Sequence, residues 1–244
     1  MFPLADFPEA LEADPTSALG IVKWDPPIPG GSDAVGPFPS HLAGRTDSER
    51  AQNLIDVWPE IVTAGCWIPT EKVDGTSLTV GREPDGTIRV ASRNFEVGPA
   101  SLHHRGADRT GLLAAVRDHE SPITVQAELA GALIQGNPLG LNQLTAVVFA
   151  VWSGRTVLAR GEWPAWVSDG SLPAVVPAPE YDLLLPTTVE ETVTLVDGIG
   201  SLLSPGRKAE GVVWHLASGL PVDVLGGRST FKTISNRYLL KHGG

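Results

Sequence analysis

Hydrophobic and polar residues alternate along several short segments of the chain, which is the pattern of strands with one buried face. The alternation is seen in 77–81 and 87–92, and further strand-like segments are 123–129, 144–152, 156–160, 211–216 and 229–235. The first two are separated by residues 82–86, whose Pro-Asp-Gly sequence is typical of a tight turn, so a hairpin is predicted there. Because hairpins and irregular spacings replace regular βαβ units, we expect antiparallel sheets.

Other segments show the spacing of amphipathic helices. They are 46–58, 109–119 and 188–203. In the first, Thr46 and Glu49 have the spacing of a capping box, and Pro59 is expected to end the helix. Its buried face would carry Ala51, Leu54, Ile55 and Trp58. A Pro- and Gly-rich stretch at 26–39 is expected to be irregular. The predicted fold class is therefore α+β, with antiparallel sheets flanked by helices.

Charge and composition restrict the function. The 244 residues include 18 Lys and Arg against 28 Asp and Glu, which gives a net charge of −10. Such a chain is expected to bind a polynucleotide weakly, over a short contact, or with a partner protein that supplies a basic surface. One cysteine and six scattered histidines give neither a disulfide nor zinc-ligand spacing. No apolar stretch approaches the roughly 18 residues that span a bilayer, and no signal-peptide pattern is present, so we expect a cytoplasmic location without membrane contact.

The segment 71–77, EKVDGTS, holds the first candidate for chemistry. It places Lys72 two residues before Asp74 and three before Gly75, between strand-like segments. A lysine amine acts as a covalent nucleophile only when a neighbouring base takes its proton or its pKa is lowered. Alone, the pattern is also typical of an exposed lysine at a hairpin turn.

Further charged residues follow Lys72 in strand-like settings: Glu128, Glu210 and Lys232. Attack on a nucleotide phosphate needs a nucleophilic amine, carboxylates that hold a divalent metal and a second cation on the phosphate. Glu128 lies in an otherwise apolar strand, where an unpaired carboxylate is costly, and this favours a functional role. Glu210 and Lys232 also have a simpler interpretation as a cross-strand ion pair.

In this order, the residues resemble the covalent nucleotidyltransferase superfamily of DNA ligases, RNA ligases and mRNA capping enzymes. The longer segments are most similar to ATP-dependent RNA ligases of the RNA ligase 2-like family. The segments that carry this resemblance are FPSHLAGRTDSERAQNL, ELAGALIQGNPLGL and FKTISNRYLLK. The resemblance covers roughly Trp24 to Lys241 and implies a nucleotidyltransferase (adenylation) domain of α+β class.

The resemblance also implies roles for the charged residues. Lys72 would attack the α-phosphorus of ATP, release pyrophosphate and become a lysyl-adenylate. Lys232 would contact the α-phosphate. Glu210 would support lysine activation and, with Glu128, hold Mg²⁺ or Mn²⁺.

The remaining implied positions surround the nucleotide. Glu71 would meet the adenine, Arg93 the ribose or phosphate, and Glu128 the ribose. Phe149 would stack on the adenine, although a phenylalanine in an apolar strand is as easily a core residue. Gly75 belongs to the same nucleotide-binding set.

Some positions depart from the family pattern. Ile234 stands where many relatives have a second lysine, so its phosphate contact is either missing or supplied by Arg237 or Lys241. Ala150 stands where an acidic residue often follows the stacking aromatic residue. Ser77 stands where some relatives have an asparagine that reads a 5′-phosphate end. These departures weaken the prediction of efficient strand sealing more than the prediction of self-adenylylation.

The function expected from the sequence is therefore an ATP-dependent RNA ligase that joins an RNA 5′-phosphate to a 3′-hydroxyl. The alternatives are a DNA ligase, a GTP-using capping-type enzyme, and an adenylylated or nucleotide-binding module that does not ligate. The expected domains are an acidic lead-in at 1–23 and a catalytic domain at 24–244 without an appended OB-fold.

Overall fold

The alternating segments of the sequence form two sheets in the computed structural model, which describes residues 33–45 and 48–242. In chain order the strands are β1 (Ala34–Pro37), β2 (Glu49–Arg50), β3 (Trp67–Lys72), β4 (Thr76–Arg82), β5 (Ile88–Ala91), β6 (Phe95–Val97), β7 (Thr124–Ala130), β8 (Thr145–Ser153), β9 (Thr156–Val157), β10 (Val175–Pro177), β11 (Gly211–Leu216) and β12 (Thr230–Ile234). The α+β class with largely antiparallel sheets is confirmed.

The larger sheet has the strand order β1-β6-β5-β4-β7-β8-β10, with β9 paired to β8. Its pairs are antiparallel except β8 with β10, which runs parallel. One face is the main hydrophobic core, because alternate residues of β4 and β7 such as Leu78, Val80, Val125 and Leu129 are fully buried there. The intervening residues of the same strands face the other side of the sheet.

The smaller sheet has the order β2-β12-β11-β3. Its buried face is aromatic: the Phe231 ring meets Trp67 and Trp58 edge-on, with ring centroids 4.9 and 5.4 Å apart, and stacks on Trp214. Aromatic pairs of this kind add about 0.5–1.5 kcal/mol each beyond the burial of their area. This core fixes the sheet against the helices and leaves its opposite face for the site described below.

Helices cover the two cores. They are α1 (Trp58–Thr63), α2 (Leu102–Arg109), α3 (Leu112–Asp118), α4 (Ala165–Ser168), α5 (Val189–Val196) and α6 (Asn236–His242), with 3₁₀ turns at Ala51–Val57, Arg160–Glu162 and Asp223–Leu225. Side chains cap α2 and α5, where Ser101 accepts a hydrogen bond from the His104 amide and Thr188 accepts one from the Glu191 amide. Within the described residues, no helix is long and apolar enough to cross a membrane.

The helix predicted at 46–58 is wrong in its detail. The chain forms a 3₁₀ turn and then an α-helix, and Pro59 lies at the start of that helix rather than at its end, because a proline is tolerated in a first turn. Glu49 belongs to β2 instead of a capping box, and Thr46 lies outside the described residues. Ala51, Leu54 and Trp58 are buried as expected, whereas Ile55 is 54% exposed.

Several other boundaries differ from the predictions. The hairpin of β4 and β5 is confirmed, but the strand predicted at 156–160 has two residues and the helix predicted at 188–203 ends at Val196. Part of the stretch expected to be irregular is a strand: β1 pairs with β6, while residues 26–32 lie outside the described part. The boundary predicted between residues 23 and 24 also lies outside it, as does the acidic lead-in.

Candidate active site

The two sheets meet at a short turn that carries the candidate nucleophile. Strand β3 of the smaller sheet ends at Lys72, and β4 of the larger sheet begins at Thr76. Lys72 lies opposite Gly211 of β11, so Glu210, just before that strand, comes beside it. The Lys72 Nζ donates a hydrogen bond of 2.6 Å to Glu210 Oε2, and the two side chains keep 22% and 16% exposure. The pair is thus largely desolvated yet reachable from the cleft.

Gly75 allows the turn to approach β7 closely. A Cβ atom at this position would lie 2.4 Å from the Leu129 carbonyl oxygen and 3.0 Å from Glu128 Cγ. Real Cβ atoms do not approach a backbone oxygen this closely, so only glycine fits without a shift of β7 or the turn. The glycine therefore sets the distance between the Lys72 turn and the strand that carries Glu128.

Glu128 faces the same cleft from the larger sheet. It is opposite Ser77 in the β4–β7 register, on the face away from the main core. Burial raises the pKa of the Glu128 carboxyl to about 7, with Lys72 opposing this and the negative charges of Glu210 and Asp74 adding to it. An acidic group so placed is suited to a ligand with hydroxyls or positive charge.

Glu128 is expected to make the stability of the ligand-free protein depend on pH. Because its pKa is higher in the folded state than in an unfolded chain, the stability it contributes is present below about pH 4.5 and lost as the pH rises through about 7. The resulting difference in the free energy of unfolding between low and high pH is at most about 3 kcal/mol. Urea unfolding without divalent metal should therefore show Glu128→Gln to be more stable than the parent at pH 8, with a smaller difference at pH 5.

Glu60→Gln, on the exposed side of α1, is the matched control for this comparison and should leave the pH profile unchanged. Parallel profiles of the parent and Glu128→Gln would show that Glu128 is not held in an environment that disfavours its charge.

Lys232 lies on the same face of the smaller sheet as Lys72. Cross-strand neighbours share a face, and Lys232 is opposite Val213, which is opposite Thr70, two residues before Lys72. The structure therefore places Lys232 on the cleft face. Glu210, however, forms its ion pair with Lys72, so the simpler interpretation of Glu210 as the ion-pair partner of Lys232 is replaced.

Arg50 extends this row of cations and was missed by the sequence reasoning. It pairs with Lys232 in the parallel β2–β12 register and is exposed. The signal was present, since Arg50 belongs to the segment TDSERAQNL, but a strand of two residues has no detectable periodicity. Of the residues expected to replace a second lysine, Arg237 instead pairs with Asp197 at 3.2 Å. Ile234 is 4% exposed, and its apolar side chain carries no charge that could replace a second lysine.

A small apolar cluster connects Phe149 to the turn that follows Lys72. It is the extra residue of a bulge in β8, because Ala127 is opposite Val148 and Gln126 is opposite Ala150. The half-buried ring packs against a cluster that includes Val73, directly after Lys72. It is thus neither a fully buried core residue nor an isolated surface ring.

The segment that follows β7 is held by its own asparagine. The Asn137 side chain donates to the Leu141 carbonyl and accepts from the Leu141 amide, at 3.0 and 2.9 Å. Leu133, Gln135 and Asn137 all adopt positive φ, which side chains rarely do. These contacts show that the Asn137 side chain orders this loop.

Glu71 and Arg93 are placed differently from the others. The Glu71 carboxylate accepts hydrogen bonds from Ser201 Oγ and from the amides of Leu202 and Leu203, at 2.6, 2.7 and 3.0 Å. Because adjacent strand residues point to opposite faces, this carboxylate is not brought together with the Lys72 ammonium. Arg93 is exposed in the connection between β5 and β6, and its charge lowers the pKa of Glu128.

The carboxylates of the cleft are suited to a divalent cation that keeps several of its water ligands. Among the described residues there is no cluster of three or more His, Cys, Asp or Glu that could hold a metal alone. Glu128 and Glu210 are two separate carboxylates near Lys72. Mg²⁺ typically takes one or two carboxylates and keeps several waters or phosphate oxygens.

Known proteins share both the sequence pattern and the fold. A family model described as RNA ligase matches residues 65–234. A variant of Naegleria gruberi RNA ligase solved apo is 30% identical, with a TM-score of 0.72, over 99% of this chain and 72% of that one. Variants solved with ATP and Mn and with AMP and Mn cover the same shares at 30% identity, with TM-scores of 0.70 and 0.71. No curated protein sequence matches the chain.

Proposed function

Since this chain belongs to the RNA ligase family, we propose that it is an ATP-dependent RNA ligase in which Lys72 carries the AMP between half-reactions. One observation carries the proposal: the Lys72 ammonium lies 2.6 Å from Glu210 on a cleft face that also holds Lys232. An amine beside a carboxylate base and a second cation is the arrangement that attack on a phosphate needs.

In the first step, Lys72 loses a proton and its nitrogen attacks the α-phosphorus of ATP. Glu210 is placed to accept that proton, since its carboxylate already receives the hydrogen bond. A nitrogen–phosphorus bond forms, the bond from the α-phosphorus to the bridging oxygen breaks, and pyrophosphate leaves with the electron pair. Lys232 and Arg50, on the same face, stabilise the negative charge that builds on the phosphate oxygens.

The rest of the cleft would hold the nucleotide. We propose that the Phe149 ring lies against the adenine and that Glu128 accepts from ribose hydroxyls or binds a water of the metal. Mg²⁺ or Mn²⁺, when bound, supplies charge neutralisation on the phosphates. Support for ATP and a divalent metal comes from the related structures solved with ATP and Mn. The predicted contact of Glu71 with the nucleotide would be made by its backbone, because its carboxylate is occupied by the 201–203 loop.

Two transfers to RNA would follow. An oxygen of an RNA 5′-phosphate attacks the adenylate phosphorus, the bond to Lys72 breaks, and the amine regains a proton while a 5′–5′ pyrophosphate forms. A 3′-hydroxyl then attacks the RNA phosphorus, a phosphodiester forms, and AMP leaves. Because the chain carries a net charge of −10, we propose that RNA is gripped over a short contact or with a partner protein that supplies a basic surface.

The test is incubation of the purified protein with α-labelled ATP or GTP and Mg²⁺ or Mn²⁺, followed by denaturation and then by addition of RNA or DNA ends. Label from ATP that is retained on the protein and chased into sealed RNA supports the proposal. Label from GTP alone would indicate capping chemistry, and sealing of DNA alone would indicate a DNA ligase. No label in any condition would refute the covalent mechanism.

A module that adenylylates without sealing is the second candidate. The observation that favours it is Ile234, an apolar residue on the cleft face beside Gly211, where many relatives have a lysine. In the same experiment, label from ATP that never passes to RNA or DNA ends would select this function.

A further inference from the structure

A hydrogen bond joins the last helix to the turn behind Lys72. Tyr238 of α6 donates from its hydroxyl to Asp74 Oδ2 at 2.6 Å, and the tyrosine is only 6% exposed. Asp74 is the acidic residue of the Lys-Val-Asp-Gly turn, two residues after Lys72. The helix itself belongs to the C-terminal segment of the family resemblance, which assigns no role to Tyr238.

The position of Tyr238 is well determined by its surroundings. Ser235 Oγ, at the end of β12, accepts from the Tyr238 amide and donates to Asp197, while the Ser235 amide donates to the Glu210 carbonyl. The start of α6 is therefore tied to the residue that pairs with Lys72. Burial, assisted by the negative charges of Asp74 and Glu210, raises the pKa of Tyr238 far above neutrality, so its hydroxyl remains a donor.

The surroundings of Lys72 are unusually rich in acids. Asp74, Glu128 and Glu210 lie close enough to influence one another, since Asp74 and Glu210 both raise the pKa of Glu128. The Asp74 carboxylate, two residues after Lys72, is a competing acceptor for the Lys72 ammonium unless another donor occupies it. A donor that occupies the Asp74 carboxylate leaves Lys72 with Glu210 as its hydrogen-bonded partner.

We propose that Tyr238 is a positioning residue for adenylylation: it holds the Asp74 carboxylate away from Lys72 and fixes the turn that aims the amine at the α-phosphorus. This inference rests on the proposed function. Tyr238 acts by fixing the position of the Lys72 amine, because small displacements of a nucleophile strongly reduce the rate of in-line attack. Neither the nucleotide pocket around Phe149 nor the cation row of Lys232 and Arg50 depends on the hydrogen bond between Tyr238 and Asp74.

The test is Tyr238→Phe, which removes the hydroxyl and keeps the ring. We expect the first-order rate of adenylate formation at saturating ATP to fall roughly tenfold or more, from the loss of a hydrogen bond to a charged group. The ATP concentration that gives half the maximal rate should change less than about twofold, because the nucleotide contacts are intact. A purely structural role would lower the melting temperature or the nucleotide affinity instead.

The protein provides its own matched control, since Tyr181 is the other of its two tyrosines and donates to the Gly200 carbonyl. Tyr181→Phe should leave the rate unchanged. A second comparison does not depend on folding yield. Tyr238→Phe is added to a protein that already carries Asp74→Ala. If the tyrosine acts through Asp74, the added substitution should slow adenylate formation by less than about a further twofold.

The outcomes separate the two proposals. If the parent protein takes no label from ATP, the proposed function fails. If the parent is labelled and Tyr238→Phe is labelled at the same rate, or if the losses of Tyr238→Phe and Asp74→Ala add fully, the proposed function stands and Tyr238 is not a positioning residue.

Discussion

Lys72→Arg is expected to eliminate covalent attachment of AMP while the protein stays folded. Arginine keeps the positive charge and can keep an ion pair with Glu210, which lies 2.6 Å from the Lys72 nitrogen. A guanidinium does not lose its proton in proteins, so it cannot supply the lone pair that attacks phosphorus. Label retained after denaturation should fall below about one hundredth of the parent, which corresponds to more than about 2.7 kcal/mol in transition-state free energy.

The choice of arginine matters, because Lys72→Ala would also leave Glu210 without its partner in a partly desolvated site. Lys208→Arg is the control: this lysine is exposed and donates to the Gly198 carbonyl. It should be labelled like the parent. Normal labelling of Lys72→Arg would move the nucleophile to another residue and contradict the proposed mechanism.

Gly75→Ala is expected to destabilise the protein strongly. The added methyl group would lie 2.4 Å from the Leu129 carbonyl oxygen, which belongs to a central strand and cannot move alone. Overpacking of this kind costs roughly 2–3 kcal/mol, which lowers the melting temperature by about 4–12 °C in a domain of this size. Because any relief displaces the turn relative to Glu128, labelling should fall as well.

Gly161→Ala is the control, since nothing lies within 4 Å of a Cβ at that position. It should change the melting temperature by no more than about 2 °C. A Gly75→Ala protein as stable and as active as the parent would show that the turn and β7 are not in close contact.

Much of the fold could be predicted because its strands have one buried face. The segment 123–129 alternates clearly and the segment 211–216 is strand-like, and they appear almost unchanged as β7 and β11. The helix predicted at 46–58 failed because the charge and hydrophobic spacing there also suit a short strand followed by a 3₁₀ turn, and tertiary packing decided between them. Strands β1 and β10 are too short to show a period and are held by their neighbours.

Part of the candidate site could also be predicted from the sequence, and part could not. Lys72, Glu128, Glu210 and Lys232 could be named from their order along the chain and the family resemblance, and the structure brings them to one cleft. Glu71 could not be placed, since the sequence does not show that the 201–203 loop binds its carboxylate. Contacts between distant segments, such as Tyr238 with Asp74, leave no local signal at all.

The most direct measurement is to locate the AMP itself. The protein is incubated with ATP and Mg²⁺ or Mn²⁺, digested under conditions that preserve nitrogen–phosphorus bonds, and sequenced by tandem mass spectrometry. The proposed mechanism predicts the mass of one AMP on the Lys72 side chain and on no other residue. An AMP adduct on Lys232 or on a hydroxyl group, or the absence of any adduct, would contradict it.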